Sequence, residues 1–338
     1  MPLRFLIPFP FLALVPLGAL LGGPFTLLAA AAAPVCLAGM DAVLGEDEAA
    51  AGRPDATIPR WLPRIYIVVQ LAVTGWAAAW IARRSTTFLE AAGIAVSVGF
   101  ITGVFGFVAA HEMVHSREKK ERALGLIQLA SVFYMHFRIA HVYGHHRRAA
   151  TSEDAATAKL GEGLYVFFVR TVRGQFREAW MFEAERLRRK RKPLLSPGNR
   201  MLHYLAIEGA LFLFVGLLSW RALAFLVAVA GISVALLEGF NYVAHYGLIR
   251  RTEEDGSIEP LAPIHSWNSS RRMNNAALFN MGRHADHHRH MARSYEQLDV
   301  MENGAQLPSG YAAALLTALV PPLWRKTMDP RVASYRSC

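Results

Sequence analysis

Thirteen histidines are spread unevenly along this chain of 338 residues. Eight fall in three short runs: His111-Glu-Met-Val-His115, His141-Val-Tyr-Gly-His145-His146 and His284-Ala-Asp-His287-His288. A ninth, His245, follows a long apolar stretch. Residues i and i+4 share a helix face, so His111 and His115 can hold one metal together, as can His284 and His288. The adjacent pairs His145-His146 and His287-His288 point about 100° apart on a helix. One member of each pair can then serve a second ion. Nine imidazoles are too many for one metal and suit two.

Each signal has a plainer reading. An HExxH run such as 111–115 arises by chance, or marks a zinc-protease helix with Glu112 as general base. Three clusters beside apolar segments are harder to dismiss, because each ring nitrogen near a membrane needs a partner. Imidazole suits iron, copper, zinc and nickel. A zinc hydrolase uses about three protein ligands, which leaves six histidines idle. Copper fits the ligand type, but two histidine-rich iron sites fit the count better, and iron can activate dioxygen. His136, His203 and His290 read as packing, interfacial or surface residues. The two cysteines, Cys36 and Cys338, are too few for a disulfide framework or an iron–sulfur cluster and read as inert thiols.

The elements that must carry these residues are apolar. The chain is 53% hydrophobic and 18% charged, against about 25% charged in soluble domains. Six stretches reach the ~20 residues needed to cross a bilayer, at about 5–22, 24–44, 62–82, 88–110, 201–219 and 221–242. The first lacks a cleavage pattern and runs through Gly22-Gly23-Pro24 into the second, so it reads as half of a hairpin and not as a signal peptide. Short turns at Arg83-Arg84-Ser85 and Trp220-Arg221 make two more hairpins. Of the 36 Lys and Arg residues, 33 lie outside these turns, in 111–200, 243–338 and at Arg4, Arg53, Arg60 and Arg64. Basic residues flank spans on the cytoplasmic side, so both termini and the active site are expected there, in a cell inner membrane.

The expected fold is all-α and integral to the membrane: six transmembrane helices as three hairpins beneath a cytoplasmic, histidine-rich di-iron cap. Residues 1–110 carry helices 1–4, 111–200 the first two boxes, 201–242 helices 5 and 6, and 243–338 His245 and the third box. The net charge of +10 is then an orientation signal and not a nucleic-acid footprint. The run Arg186-Leu-Arg-Arg-Lys-Arg-Lys192 reads as a solvated or lipid-facing helix end, with docking of an acidic protein as a minor reading. Gly99, Gly103 and Gly106 read as small residues at a helix–helix contact. The alanines at 29–33 read as close packing ahead of room for an alkyl chain, and 312–323 as an interfacial segment.

At these motifs the chain resembles the membrane alkane 1-monooxygenases, within the integral-membrane desaturases and hydroxylases. The resemblance rests on the three boxes and on Asn241-Tyr-Val-Ala-His-Tyr-Gly-Leu248, His265-Ser-Trp-Asn268, and Asn280 leading to Arg283-His-Ala-Asp-His-His288. Thr151-Ser-Glu-Asp154 and Leu160-Gly-Glu162 match as well. It implies two non-haem irons held by His111, His115, His141, His145, His146, His245, His284, His287 and His288. It also implies insertion of an oxygen atom from O2 into a terminal C–H bond, with electrons from a separate rubredoxin or ferredoxin and its reductase. The family's usual Glu before the second box and before the histidine after span six is replaced by Ala140 and Ala244. Ser116 and Met281-Gly282 also depart from the pattern.

An unactivated C–H bond resists acids, bases and nucleophiles, so the metal must carry that step. Asp154, Asn241 and Asp286 are candidates for orienting ligand imidazoles through their second nitrogens, with ordinary caps as the equal alternative. An apolar channel between helices would admit a substrate dissolved in lipid. No flavin, nicotinamide or iron–sulfur motif supplies electrons within the chain. The runner-up reading is a fatty acyl desaturase or hydroxylase. An intramembrane zinc protease on His111 and His115, or a haem carrier between spans, stands further off.

Overall fold

The computed structural model describes residues 2–47, 60–301 and 303–336; Arg53 and Cys338 fall outside them. Two apolar helices open the chain, α1 (Pro8–Leu21) and α2 (Leu28–Leu44), joined through Gly22 at φ 71°. After them come α3 (Leu62–Arg83) and α4 (Phe88–Ile101). Helix α4 starts at a reciprocal cap, with the Thr87 hydroxyl accepting from the Glu90 amide and Glu90 accepting from the Thr87 amide.

A π-helical turn at Thr102–Gly106 carries α4 without a break into α5 (Phe107–His115). The fourth membrane helix therefore runs from Phe88 to His115. The expected span stops at 110. His111 and His115 sit on the helix itself, and an expected segment boundary falls inside it.

Helix α6 (Lys119–Ala130) leads to the second box. There the three-residue turns α7 (Phe137–Ile139) and α8 (His146–Arg148) flank a second π turn at Ala140–His145. The long α9 (Leu164–Arg189) buries Leu164, Phe167, Thr171, Gln175, Glu178 and Glu183 along one face. Helix α10 (Arg200–Leu218) is capped by Asn199, and α11 (Trp220–His245) by Ser219. Helix α11 likewise outruns its expected end at 242 and carries His245.

The remaining elements are small. Helices α12 (Arg272–Ala277) and α13 (His284–Arg289) bear the third box. A two-residue parallel pair, Trp267–Asn268 with Ala305–Gln306, departs from an all-helical chain. Helices α14 (Tyr311–Ala318) and α15 (Pro321–Arg336) close the described chain.

Six helices are long and apolar enough to cross a membrane, so this is a multi-pass membrane protein. Helix α11 packs along α4 where glycines permit it. A Cβ on Gly99 would lie 2.7 Å from Ile232 Cβ, and one on Gly103 would lie 2.8 Å from Ser233 Cα. In lipid, close backbone approach supplies the packing that apolar burial cannot. The small residues thus act as the contact expected of them. Ala29 and Ala33 of α2 are fully buried, while Ala30 and Pro34 line a cavity between helices.

Candidate metal centre and its cavity

The nine imidazoles expected as ligands converge. Nitrogens of His111, His115, His141, His146 and His287 lie within 4.8 Å of one another, and so do those of His145, His245, His284 and His288. Helical periodicity accounts for most of this partition. His111 and His115 are one turn apart on α5, and His284 and His288 one turn apart on α13. His145 and His146 go to opposite groups, as do His287 and His288, because adjacent residues on a helix point about 100° apart. The pairing of His141 with His146 is different, because i and i+5 meet only where the π turn at Ala140–His145 widens the helix.

The geometry suits a cation. The His146 Nε2 atom lies 3.1 Å from those of His115 and His141 and 3.2 Å from that of His287. His111 and His141 bring theirs to 2.8 Å. In the second group His284 Nε2 is 3.0 Å from His245 Nε2 and 3.1 Å from His288 Nε2. A neutral ring nitrogen offers one hydrogen or one lone pair, so His146 Nε2 cannot serve three hydrogen bonds at once. Nitrogens bound to one metal at about 2.1 Å naturally stand about 3 Å apart. Burial, reinforced by neighbouring imidazoles, pushes His141, His146, His284, His287 and His288 well below the ordinary imidazole value. These rings are neutral at pH 7, the form that donates to a metal.

The carboxylate and amide partners sort differently from the expectation. Asp154 Oδ2 lies 2.8 Å from His145 Nδ1 and also accepts from the Thr157 hydroxyl at 2.7 Å. That leaves His145 Nε2 facing its group. Burial pushes the Asp154 carboxyl up, but His145 and Thr157 outweigh it and hold it below its ordinary value.

Asp286 is fully buried on α13, yet it meets His290 Nδ1 at 2.8 Å, Arg293 at 2.9 Å and the Asp299 amide at 2.8 Å. It ties the chain after the third box back onto the helix, because i and i+4 put it above His290 and not above a ligand. Asn241 donates to Glu238 Oε2 at 3.0 Å, one turn back on α11. His136 packs between Tyr134 and Phe176, His203 is exposed, and His265 Nδ1 accepts from the Ala262 amide. None of these three belongs to either group.

An apolar cavity of about 610 Å³ reaches both groups, touching His111, His141 and His284. Its walls come mainly from α2, α4 with its π turn, α5, α9, α11 and α14, among them Phe100, Val104, Leu236 and Leu315. Such a volume is in the range of small-molecule sites. The 312–323 segment, expected only as interfacial, supplies part of the wall.

Beside the cavity lies a group that motif reading passed over. Glu238, fully buried in α11, accepts from Tyr134 at 2.9 Å, Thr171 at 3.1 Å and Gln175 at 2.8 Å as well as from Asn241. The available signal was a lone carboxylate within an apolar span.

Comparison with known proteins gives the family. The fatty acid desaturase family model matches residues 86–313. Alkane 1-monooxygenase 1 of Pseudomonas aeruginosa is 38% identical over 306 residues, 88% of this chain and 80% of its own. The alkane 1-monooxygenase of Acinetobacter baylyi is 36% identical over 275 residues, 81% of this chain and 67% of its own. The xylene/toluene monooxygenase hydroxylase component of Pseudomonas putida is 32% identical over 240 residues, 70% of this chain and 63% of its own. Histidine runs, membrane helices and relatives lead to one assignment: the chain belongs to the alkane 1-monooxygenase family, within the membrane desaturases and hydroxylases.

Proposed function

We propose that this protein hydroxylates the terminal carbon of an alkane or alkyl chain, giving a primary alcohol with one oxygen atom taken from O2. The observation that carries the reading is the placement of two buried histidine groups at the wall of an apolar cavity within membrane helices. A polar substrate would lose its hydration in that cavity and recover little. An alkyl chain loses nothing.

Two non-haem irons are the proposed cofactors. His111, His115, His141, His146 and His287 would hold one, and His145, His245, His284 and His288 the other. When bound, the irons supply the activation of O2 that no side chain here can provide.

The chain's own residues do the rest. Neutral imidazoles leave the metals strongly electrophilic, unlike carboxylate-rich di-iron bundles. Asp154 fixes the ring of His145 and raises its donor strength. Phe137 stacks on His141, with ring centroids 4.7 Å apart and planes at 16°. The apolar walls exclude water and hold the chain end against His111, His141 and His284.

Electrons come from a separate rubredoxin or ferredoxin and its reductase. His115 is the least buried of the nine imidazoles, and Arg117, Lys119, Lys120, Arg147 and Arg289 are exposed on the segments around the boxes. That charge favours an acidic carrier. The inner membrane, with histidines and termini on the cytoplasmic side, is the proposed setting, in keeping with the basic residues there.

The test is chromatography of products from membranes given dodecane, O2 and a reduced donor, with elemental analysis of the purified protein. The reading expects 1-dodecanol and about two irons per chain, with the ion count following from the two donor sets. Exclusively unsaturated product, or a single zinc, overturns it.

A further inference from the structure

We infer that Asn241 is a product-binding residue, presenting its side-chain carbonyl to the cavity as an acceptor for the hydroxyl of the newly formed alcohol. This deepens the proposed function and rests on it.

Glu238 sets the orientation of the neighbouring amide. Its two oxygens receive four donors: Tyr134 on Oε1, and Thr171, Gln175 and Asn241 on Oε2. A carboxylate saturated with donors is an acceptor only. It therefore dictates which end of the Asn241 amide faces it, and the NH2 group must. The carbonyl oxygen Oδ1 is left on the other corner of the amide. Among the described residues no protein group donates to it: Nδ2 makes the only hydrogen bond found for this side chain. Nor does Oδ1 belong to the sealed, unsatisfied polar atoms, although the residue is 4% exposed. Asn241 lines the cavity, so the small surface it retains opens there.

Position completes the case. Asn241 precedes His245 by four residues on α11, one turn or about 6 Å along the axis. It shares a face with that imidazole. An acceptor thus stands one helical turn from an imidazole of the four-histidine group, on the wall of a largely apolar space that Asn274 and Tyr311 also line. The neighbouring Tyr311 hydroxyl donates its hydrogen to the Trp267 carbonyl and so cannot offer it to the product's oxygen.

An alkane ignores Oδ1, which needs a hydrogen to accept. The product does not, because its new hydroxyl carries one. Asn241 would draw that hydroxyl aside from the reacting position, so the residue discriminates product from substrate. A ligand with an oxygen but no hydroxyl, such as an ether, meets only lone-pair repulsion.

The test compares two inhibitors of dodecane hydroxylation by the intact enzyme in vesicles with its donor. These are 1-dodecanol and methyl undecyl ether, alike in length. In the natural chain the alcohol should inhibit at lower concentration than the ether. Asn241→Leu should weaken the alcohol about three- to tenfold, the worth of one net hydrogen bond, and leave the ether unchanged or tighter. Glu238→Gln can offer its own NH2 to Oδ1, so the Asn241 amide is free to turn and the preference for alcohol should collapse. A merely structural role would move both inhibitors together.

The same ratio can be read without turnover, from the shift in melting temperature that each ligand gives the purified protein. Should the natural chain fail to hydroxylate dodecane, the proposed function falls, and the melting shifts still test the acceptor. An alcohol-to-ether ratio unchanged in both variants overturns the inference about Asn241.

Discussion

Five imidazoles form one histidine group and four the other, and the two are braced differently. The five-membered group draws on α5, the π turn of the second box, α8 and α13, and includes His115, the least buried of the nine. Its support is aromatic, through Phe137 on His141. The four-membered group is buried throughout and has a carboxylate brace, Asp154 on His145. One group has a spare donor and a route toward solvent. The other has fewer donors, each held more firmly. A site that exchanges electrons with an outside carrier gains from the first arrangement, and a site that keeps its metal gains from the second.

The contrast can be broken most severely by removing a ligand from each group. Four-coordinate histidine and thiolate sites bind zinc with about 10–16 kcal/mol, so each donor is worth about 3 kcal/mol, or about a hundredfold in affinity. His245→Ala leaves three donors and should empty its site, with hydroxylation lost. His115→Ala leaves four and should keep much of its metal. Metal content per chain after gel filtration, set beside product yield, checks both. Equal losses would show the two groups to be equivalent.

Asp154→Asn comes next. The amide preserves shape but removes the charge behind His145, which should lower metal affinity or activity about 10–100-fold. Titration with a competing chelator should show one weakened ion of the two. If both weaken alike, the carboxylate does not belong to one group.

Acid should act on both groups. Burial holds His141, His146, His284, His287 and His288 below their ordinary value. Below about pH 6.5 the unfolded chain takes up protons that the folded one refuses, so stability is complete above that pH and falls as pH drops. Each ring held neutral steepens the loss by about 1.4 kcal/mol per pH unit. Melting temperatures of chelator-stripped protein between pH 7.5 and 5 measure it. A flat profile would mean that the rings do not stay neutral.

The mildest change is Phe137→Leu, which removes the stacked ring from His141. An aromatic pair is worth about 0.5–1.5 kcal/mol beyond its area. A small drop in melting temperature is expected, with altered retention of the metal in the five-membered group alone.

Much of this site was legible before any coordinates. The runs at 111–115 and 284–288 named their own pairs, because i and i+4 share a helix face, whereas His141 and His145 have the same spacing and fall in opposite groups. The adjacent histidines went to opposite groups by the same helical periodicity. The i, i+5 pairing of His141 with His146 was not legible, since a π turn is a response to packing and not a residue preference. Asp286 looked like a partner for a ligand imidazole and turned to His290, which is in neither group, and to Arg293. Asn241 looked like another and turned to Glu238.

Residue order alone marked the six membrane helices and the imidazoles of the first and third boxes that travel together. Hydropathy and helical periodicity are local properties, readable along one segment at a time. Only the folded chain decided that α5, the second box, α11 and α13 meet at one place, that α2, α4, α5, α9, α11 and α14 leave a cavity beside it, and that a buried carboxylate turns an amide toward that cavity. Those are contacts between segments far apart in sequence, and no single segment carries the free energy that forms them.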